Sequence, residues 1–130
     1  MNILRKNGAP RYQRDGIASW LLVAESTAGA RHLTTTLVEM SPGGRQHLHC
    51  HATEQSYFII SGNGLMQVGE QTERVQPGDT VFISGDTVHG LVNDSTVELM
   101  YLGAGSPPFG RESEPGLRPL APVCAKCEKE

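Results

Sequence analysis

The chain has no excess of basic residues, no long apolar run and few cysteines. Its 11 lysines and arginines stand against 14 aspartates and glutamates, for a net charge of −3. It therefore lacks the basic surface that nucleic acid or an anionic membrane would require. No window sustains the apolar length of a membrane span. The opening stretch, MNILRKNGAPRYQRDG, holds no apolar core long enough for a secretory signal. The expectation is a cytoplasmic protein that engages neither nucleic acid nor membrane. Cys50, Cys124 and Cys127 form an odd set, which suits a reducing compartment better than a disulfide scaffold. Also missing are an apolar period of 3.6, which argues against long helices, and any repeat of solenoid length.

What is present is a series of short apolar or alternating runs from about Trp20 to Leu102, separated by SPGG, SGNG, VGEQ, QPGD and SGDT. These are glycine-bearing turns between strands. The runs predict strands at Ala18–Glu25, Leu33–Met40, His47–His51, Ser56–Ile60, Gly64–Val68, Thr80–Ile83, His89–Val92 and Val97–Leu102. So many short strands at this spacing read as an all-β antiparallel sandwich or barrel. The organisation expected is an N-terminal arm over residues 1–16, a β-barrel over 17–103, and a tail over 104–130 rich in proline and charge. The tail carries Cys124-Ala-Lys-Cys127. One such pair is short of the four ligands of a structural zinc site, so it reads as an unliganded tail.

The segment GGRQHLHCHATEQSYFIISG places His47, His49 and His51 at alternate positions. Alternation is the side-chain period of a strand, so all three imidazoles are expected on one face. Neutral imidazole is the commonest protein ligand for a transition metal. A metal needs three or four donors converging from separate parts of the backbone. His49 and His51 supply two, and His89, which opens a later strand after a glycine turn, supplies a third. Gln55 shares their parity if no bulge or turn intervenes. Cys50, between two ring-bearing positions, is turned away.

In these residues the chain resembles the cupin superfamily, small jelly-roll barrels built as an antiparallel double-stranded β-helix. The first cupin motif, G-x5-H-x-H-x3/4-E-x6-G, reads from Gly43 through His49 and His51 to Gly62, with Gln55 where the glutamate is expected. The second, G-x5-P-x-G-x2-H-x3-N, maps onto Gly78, His89 and Asn93, with Ser84 for the proline and Asp86 for the inner glycine. The resemblance implies a metal site of His49, His51, Gln55 and His89 for a divalent transition metal: iron, manganese, nickel or zinc. A glutamine there removes a negative charge and leaves the metal more electrophilic. A second register remains open, in which HLHCHATE uses His47, His49 and Glu54. Glu54 then needs a bulge to reach the inner face; otherwise it is a neighbouring carboxylate. Tyr57 has inward parity, as a pocket acid or as core, and His47 otherwise sits at the rim.

Two classes of function follow. One is a metal-dependent enzyme acting on a small polar molecule, by Lewis-acid isomerase or lyase chemistry or by dioxygenase chemistry. The other is a non-catalytic cupin that binds a sugar or organic acid. The resemblance also implies a homodimer, through sheet-edge pairing or exchange of the N-terminal arm. The fold hosts many chemistries, so the motifs speak to fold more than to reaction.

Overall fold

The structure is a computed structural model, and it describes residues 1–108. Nine strands follow one another: β1 (Arg11–Arg14), β2 (Ile17–Val23), β3 (Thr34–Met40), β4 (Glu54–Ser61), β5 (Gly64–Val68), β6 (Gln71–Val75), β7 (Thr80–Ile83), β8 (His89–Val92) and β9 (Leu99–Ser106). One helical turn, α1 (Glu25–Ala28), joins β2 to β3. The strands form a six-stranded sheet in the order β1-β2-β3-β9-β4-β7 and a three-stranded sheet in the order β6-β5-β8, each neighbouring pair antiparallel. This is the all-β antiparallel architecture expected from the turn spacing, in the jelly-roll form that the cupin resemblance implies.

The two sheets face each other across one core. The larger contributes Val38, Met40, Tyr57, Ile59, Ile83, Leu99 and Tyr101; the smaller contributes Met66, Val75 and Leu91. In β3, β4 and β9 these residues alternate with more exposed ones, as a sheet with one buried face requires. Each fully buried aliphatic side chain contributes about 1.5–3 kcal/mol. Gly62, in the β4–β5 turn, adopts φ 79°. A Cβ there would also lie 2.7 Å from the Leu99 Cα, so only glycine lets this turn close on β9.

Three expectations need correction. Residues 11–14, read as part of an unpatterned arm, form β1 and pair with β2 of the same chain. Residues 71–75, of which only Gln71 was read as turn and the rest were assigned to no strand, form β6: four of its five side chains are exposed, so it shows no alternation of burial. Residues 47–51 do not form a strand. With Arg45 and Gln46 they run beside β8, and the 45–51 segment meets it at two isolated bridges, Arg45 to Val92 and His49 to His89. Four steps along one chain therefore answer three along the other, which is a β-bulge. No helix among the described residues is long and apolar enough to cross a membrane.

Candidate metal centre

The bulge decides which side chains enter the barrel. Gln46 turns inward: its Oε1 accepts the Leu91 N–H at 3.1 Å, and its Nε2 donates to the Tyr101 hydroxyl. The side-chain oxygen thus serves a backbone N–H beside the bulge, where ladder pairing is interrupted. His47 is exposed, whereas His49 and His51 are half-buried. The expectation that all three imidazoles share one face is overturned. Strand parity does not carry through an extra residue.

His49, His51 and His89 come together. Their ring centroids are 5.6, 4.2 and 5.1 Å apart for the pairs 49–51, 49–89 and 51–89. One ring nitrogen from each lies within 4.8 Å of the others. Each Nδ1 meets a backbone carbonyl: His49 that of His47 at 2.8 Å, His51 that of Thr53 at 3.0 Å, and His89 that of Thr87 at 2.8 Å. A carbonyl can only accept, so each Nδ1 carries a hydrogen, and in the neutral ring that a metal requires the lone pair is on Nε2. Outer hydrogen bonds of this kind orient imidazoles for metal binding.

Two buried polar atoms test whether the residues fit a cation. The His89 Nε2 and the Gln55 Oε1 are both buried with no hydrogen-bond partner among the described residues. Each is a lone-pair donor, and an orphaned buried acceptor costs about 1–3 kcal/mol. Burial pushes the His89 imidazole down to about 4, against the opposing pull of the Thr87 carbonyl and with a smaller contribution from His51. The ring is therefore neutral at pH 7, the form that ligates metal. The donor set fits a divalent transition metal.

Gln55 reaches the interior through its own strand. A bend at residues 52–53 breaks the parity from His51, but along β4 Gln55 alternates in step with buried Tyr57 and Ile59. Glu54, the first residue of β4, is exposed on the opposite face and is not part of the donor group. Tyr57, 3% exposed, places its ring 6.2 Å from that of His89 and stacks on Tyr101 at 4.2 Å. Gln46 and Tyr101 were missed from sequence. Tyr101 was findable by its alternation with Leu99; Gln46 was not, because only the bulge turns it inward.

The second motif works as scaffold. Asp86 stands at φ 59°, the left-handed region that the family's glycine adopts freely and aspartate tolerates. Its N–H donates to the His51 carbonyl at 2.7 Å. Ser84 and Thr87 hydroxyls bond each other across the same turn at 2.7 Å. Asn93, fully buried, donates to the carbonyls of Met40 and Val97 and accepts from the N–H and hydroxyl of Ser95. Cys50 is fully buried and disulfide-bonded, which an odd set of three cysteines did not lead us to expect. The Cys124–Cys127 pair lies outside the described residues.

Comparison with known proteins agrees with this architecture. An uncharacterized protein of Methanocaldococcus jannaschii, MJ1618, is 37% identical over 71 residues, which is 54% of this chain and 57% of that protein. The chain thus spans little more than half the length of this relative. Among solved structures, KdgF from Halomonas sp. superposes with a TM-score of 0.73 at 17% identity, covering 84% of this chain and 96% of that one. The polyketide cyclase RemF from Streptomyces resistomycificus superposes with a TM-score of 0.71 at 23% identity, covering 83% and 82%. These likenesses speak to fold. A family model described as a cupin domain matches residues 36–104, from within β3 to within β9, and takes in all three clustered histidines, so the chain belongs to the cupin family.

Proposed function

We propose that this chain is a metal-dependent enzyme of the isomerase or lyase kind acting on a small polar carbonyl compound. His49, His51, Gln55 and His89 would hold the divalent metal. The observation that carries this reading is the shared tautomer: each clustered imidazole gives its Nδ1–H to a backbone carbonyl and keeps the lone pair on Nε2. When bound, the metal supplies a Lewis acid that polarises a carbonyl oxygen. All four donors are neutral, and without an anionic ligand oxidation of the metal is harder, which favours Lewis-acid over dioxygenase chemistry. Tyr57, whose ring lies beside that of His89, would hold a proton near a bound substrate. Tyr101 backs its ring, and Gln46 fixes the Tyr101 hydroxyl.

The test is metal analysis of protein purified without oxygen, followed by turnover assays on sugars, sugar acids, diols and enols. Near-stoichiometric metal and turnover independent of dioxygen are expected. Oxygen consumption by iron-loaded protein would assign the dioxygenase alternative. Metal without turnover of any compound would assign the binding cupin.

The assembly belongs to the same proposal. Trp20, Leu37, Leu102 and Phe58 pair directly across β2, β3, β9 and β4, a single apolar row on the outer face of the large sheet. Phe58 is 45% exposed, and Phe82 on the neighbouring edge strand is 60% exposed. A second copy of the chain is the occupant we assign to this face. Lys6 and Arg11 stand over Trp20 at one end of the row, and exposed Glu54 lies on the same face of β4 at the other. A two-fold axis therefore sets the basic end of one copy on the acidic end of the next.

A further inference from the structure

A concavity of about 270 Å³ opens on the outer face of the small sheet, on the side opposite the histidines. Gly90, which follows inward-facing His89 and therefore points outward, is buried at its base. A Cβ at this position would lie 3.2 Å from both the Gln46 carbonyl oxygen and Leu48 Cδ2, so the missing side chain is what lets the 46–48 segment close over β8 and form one wall of the groove. Leu48, Leu65 and Val92 supply apolar surface, and Arg45 and His47 stand at the rim. No aspartate or glutamate lines it, and Arg45 has no ion-pair partner among the described residues. In a protein of net charge −3 this is a locally cationic groove with an apolar floor.

We infer that the groove is a second ligand site, for a small organic acid whose carboxylate meets Arg45 and whose short apolar body rests on Leu48, Leu65 and Val92. Arginine recognises carboxylates with two parallel N–H bonds. The volume falls just below the roughly 300–1,000 Å³ of drug-sized sites, which suits a small acid. The groove also shares a wall with the metal centre. The His47 carbonyl lies 3.6 Å from the position of a Gly90 Cβ, and it accepts the His49 Nδ1–H at 2.8 Å. An acid held between Arg45 and Leu48 bears on the segment whose His47 carbonyl orients His49, so its binding is coupled to the metal affinity of the histidine cluster. That coupling rests on the metal reading above; the groove itself does not.

Isovalerate titrated into metal-free, ¹⁵N-labelled protein tests the site. Saturable amide shifts at Arg45, His47, Leu48, Leu65 and Gly90 are expected, with a dissociation constant on the order of 1 mM for so small a ligand. Isovaleramide, which lacks the charge, and the Arg45→Gln variant, altered only at an exposed side chain, should abolish them. Shifts that survive Arg45→Gln, or that centre on His51 and Gln55 instead, overturn the site. In a second arm, saturating isovalerate should change zinc affinity by about five-fold or more in the native protein and not in Arg45→Gln. Unchanged zinc affinity with a saturated groove overturns the coupling. A chain that binds no zinc overturns the metal reading, while the titration without metal still decides the groove.

Discussion

The carbonyl oxygen of His47 accepts the Nδ1–H of His49 at 2.8 Å. His47 thus serves the histidine cluster through its backbone, while its own ring lies outside with the solvent. A substitution that keeps the backbone should keep the service. His47→Ala is expected to retain metal at near-native stoichiometry, whereas His49→Ala or His89→Ala should lower metal affinity by more than about 100-fold. Competition against a chromophoric zinc chelator measures all three. Loss of metal in His47→Ala with retention in His49→Ala would restore the register that uses His47 and Glu54.

The buried, unpartnered Oε1 of Gln55 gives a prediction with opposite signs in two assays. Gln55→Leu removes an acceptor that nothing among the described residues satisfies, and the metal-free protein should gain about 1 kcal/mol, or several degrees in Tm. The same change deletes a metal donor and should weaken metal binding. Calorimetry with and without metal reads both. A destabilised metal-free variant would mean that Gln55 already has a partner.

How far the sequence reached is clear from these two neighbours. His49, His51 and His89 were identified because their spacing from Gly43, Gly78 and Asn93 is a property of the chain and survives any local irregularity. The fold was legible for the same reason: its turns are marked by glycine and its strands by alternation. The orientation of His47 was not legible, because parity counts residues and a bulge adds one without leaving a compositional mark. Gln46 was hidden by the same bulge. β6 was hidden because an edge strand with four exposed residues shows no alternation.

The depressed His89 imidazole makes the metal-free protein sensitive to acid. Its folded value of about 4 lies below the ordinary 6.5. Between those limits the unfolded chain binds a proton that the native state refuses, so stability rises with pH across the window and its loss is complete near pH 4. The change amounts to at most about 3 kcal/mol. Urea midpoints from pH 7 to pH 4 should show the slope, and His89→Gln should flatten that part of it. A native protein without this slope would mean that His89 takes up its proton as readily in the folded state as in the unfolded one.

Asn93 is a structural clamp, so its loss should appear in folding and not in metal affinity. Its amide closes four hydrogen bonds, one to the Met40 carbonyl at the end of β3 and three within the β8–β9 connection. Asn93→Leu leaves the Met40 carbonyl without this donor in a buried place, takes one of two donors from the Val97 carbonyl, and should cost about 1–3 kcal/mol. Denaturant unfolding measures the cost. Any variant that folds below the transition should bind metal as the native protein does.

The outer row of Trp20, Leu37, Leu102 and Phe58 is the feature that most needs a partner. Four directly paired apolar residues across four strands make a continuous strip, and Phe82 extends it onto an edge strand at 60% exposure. Scattered surface apolar residues are ordinary, but a contiguous patch on a sheet marks an interaction surface. Phe58 and Phe82 contribute nothing to the inner core, so replacing them tests the face without emptying the barrel. Native protein should sediment as a dimer at micromolar concentration, and Phe58→Lys with Phe82→Lys should sediment as a folded monomer that still binds metal. Because Lys6 and Arg11 sit at one end and Glu54 at the other, Glu54→Lys should weaken the dimer by a few-fold at low salt, an effect that fades as salt is raised. A native monomer at high protein concentration, or a double variant that remains dimeric, would rule out this face as the dimer interface.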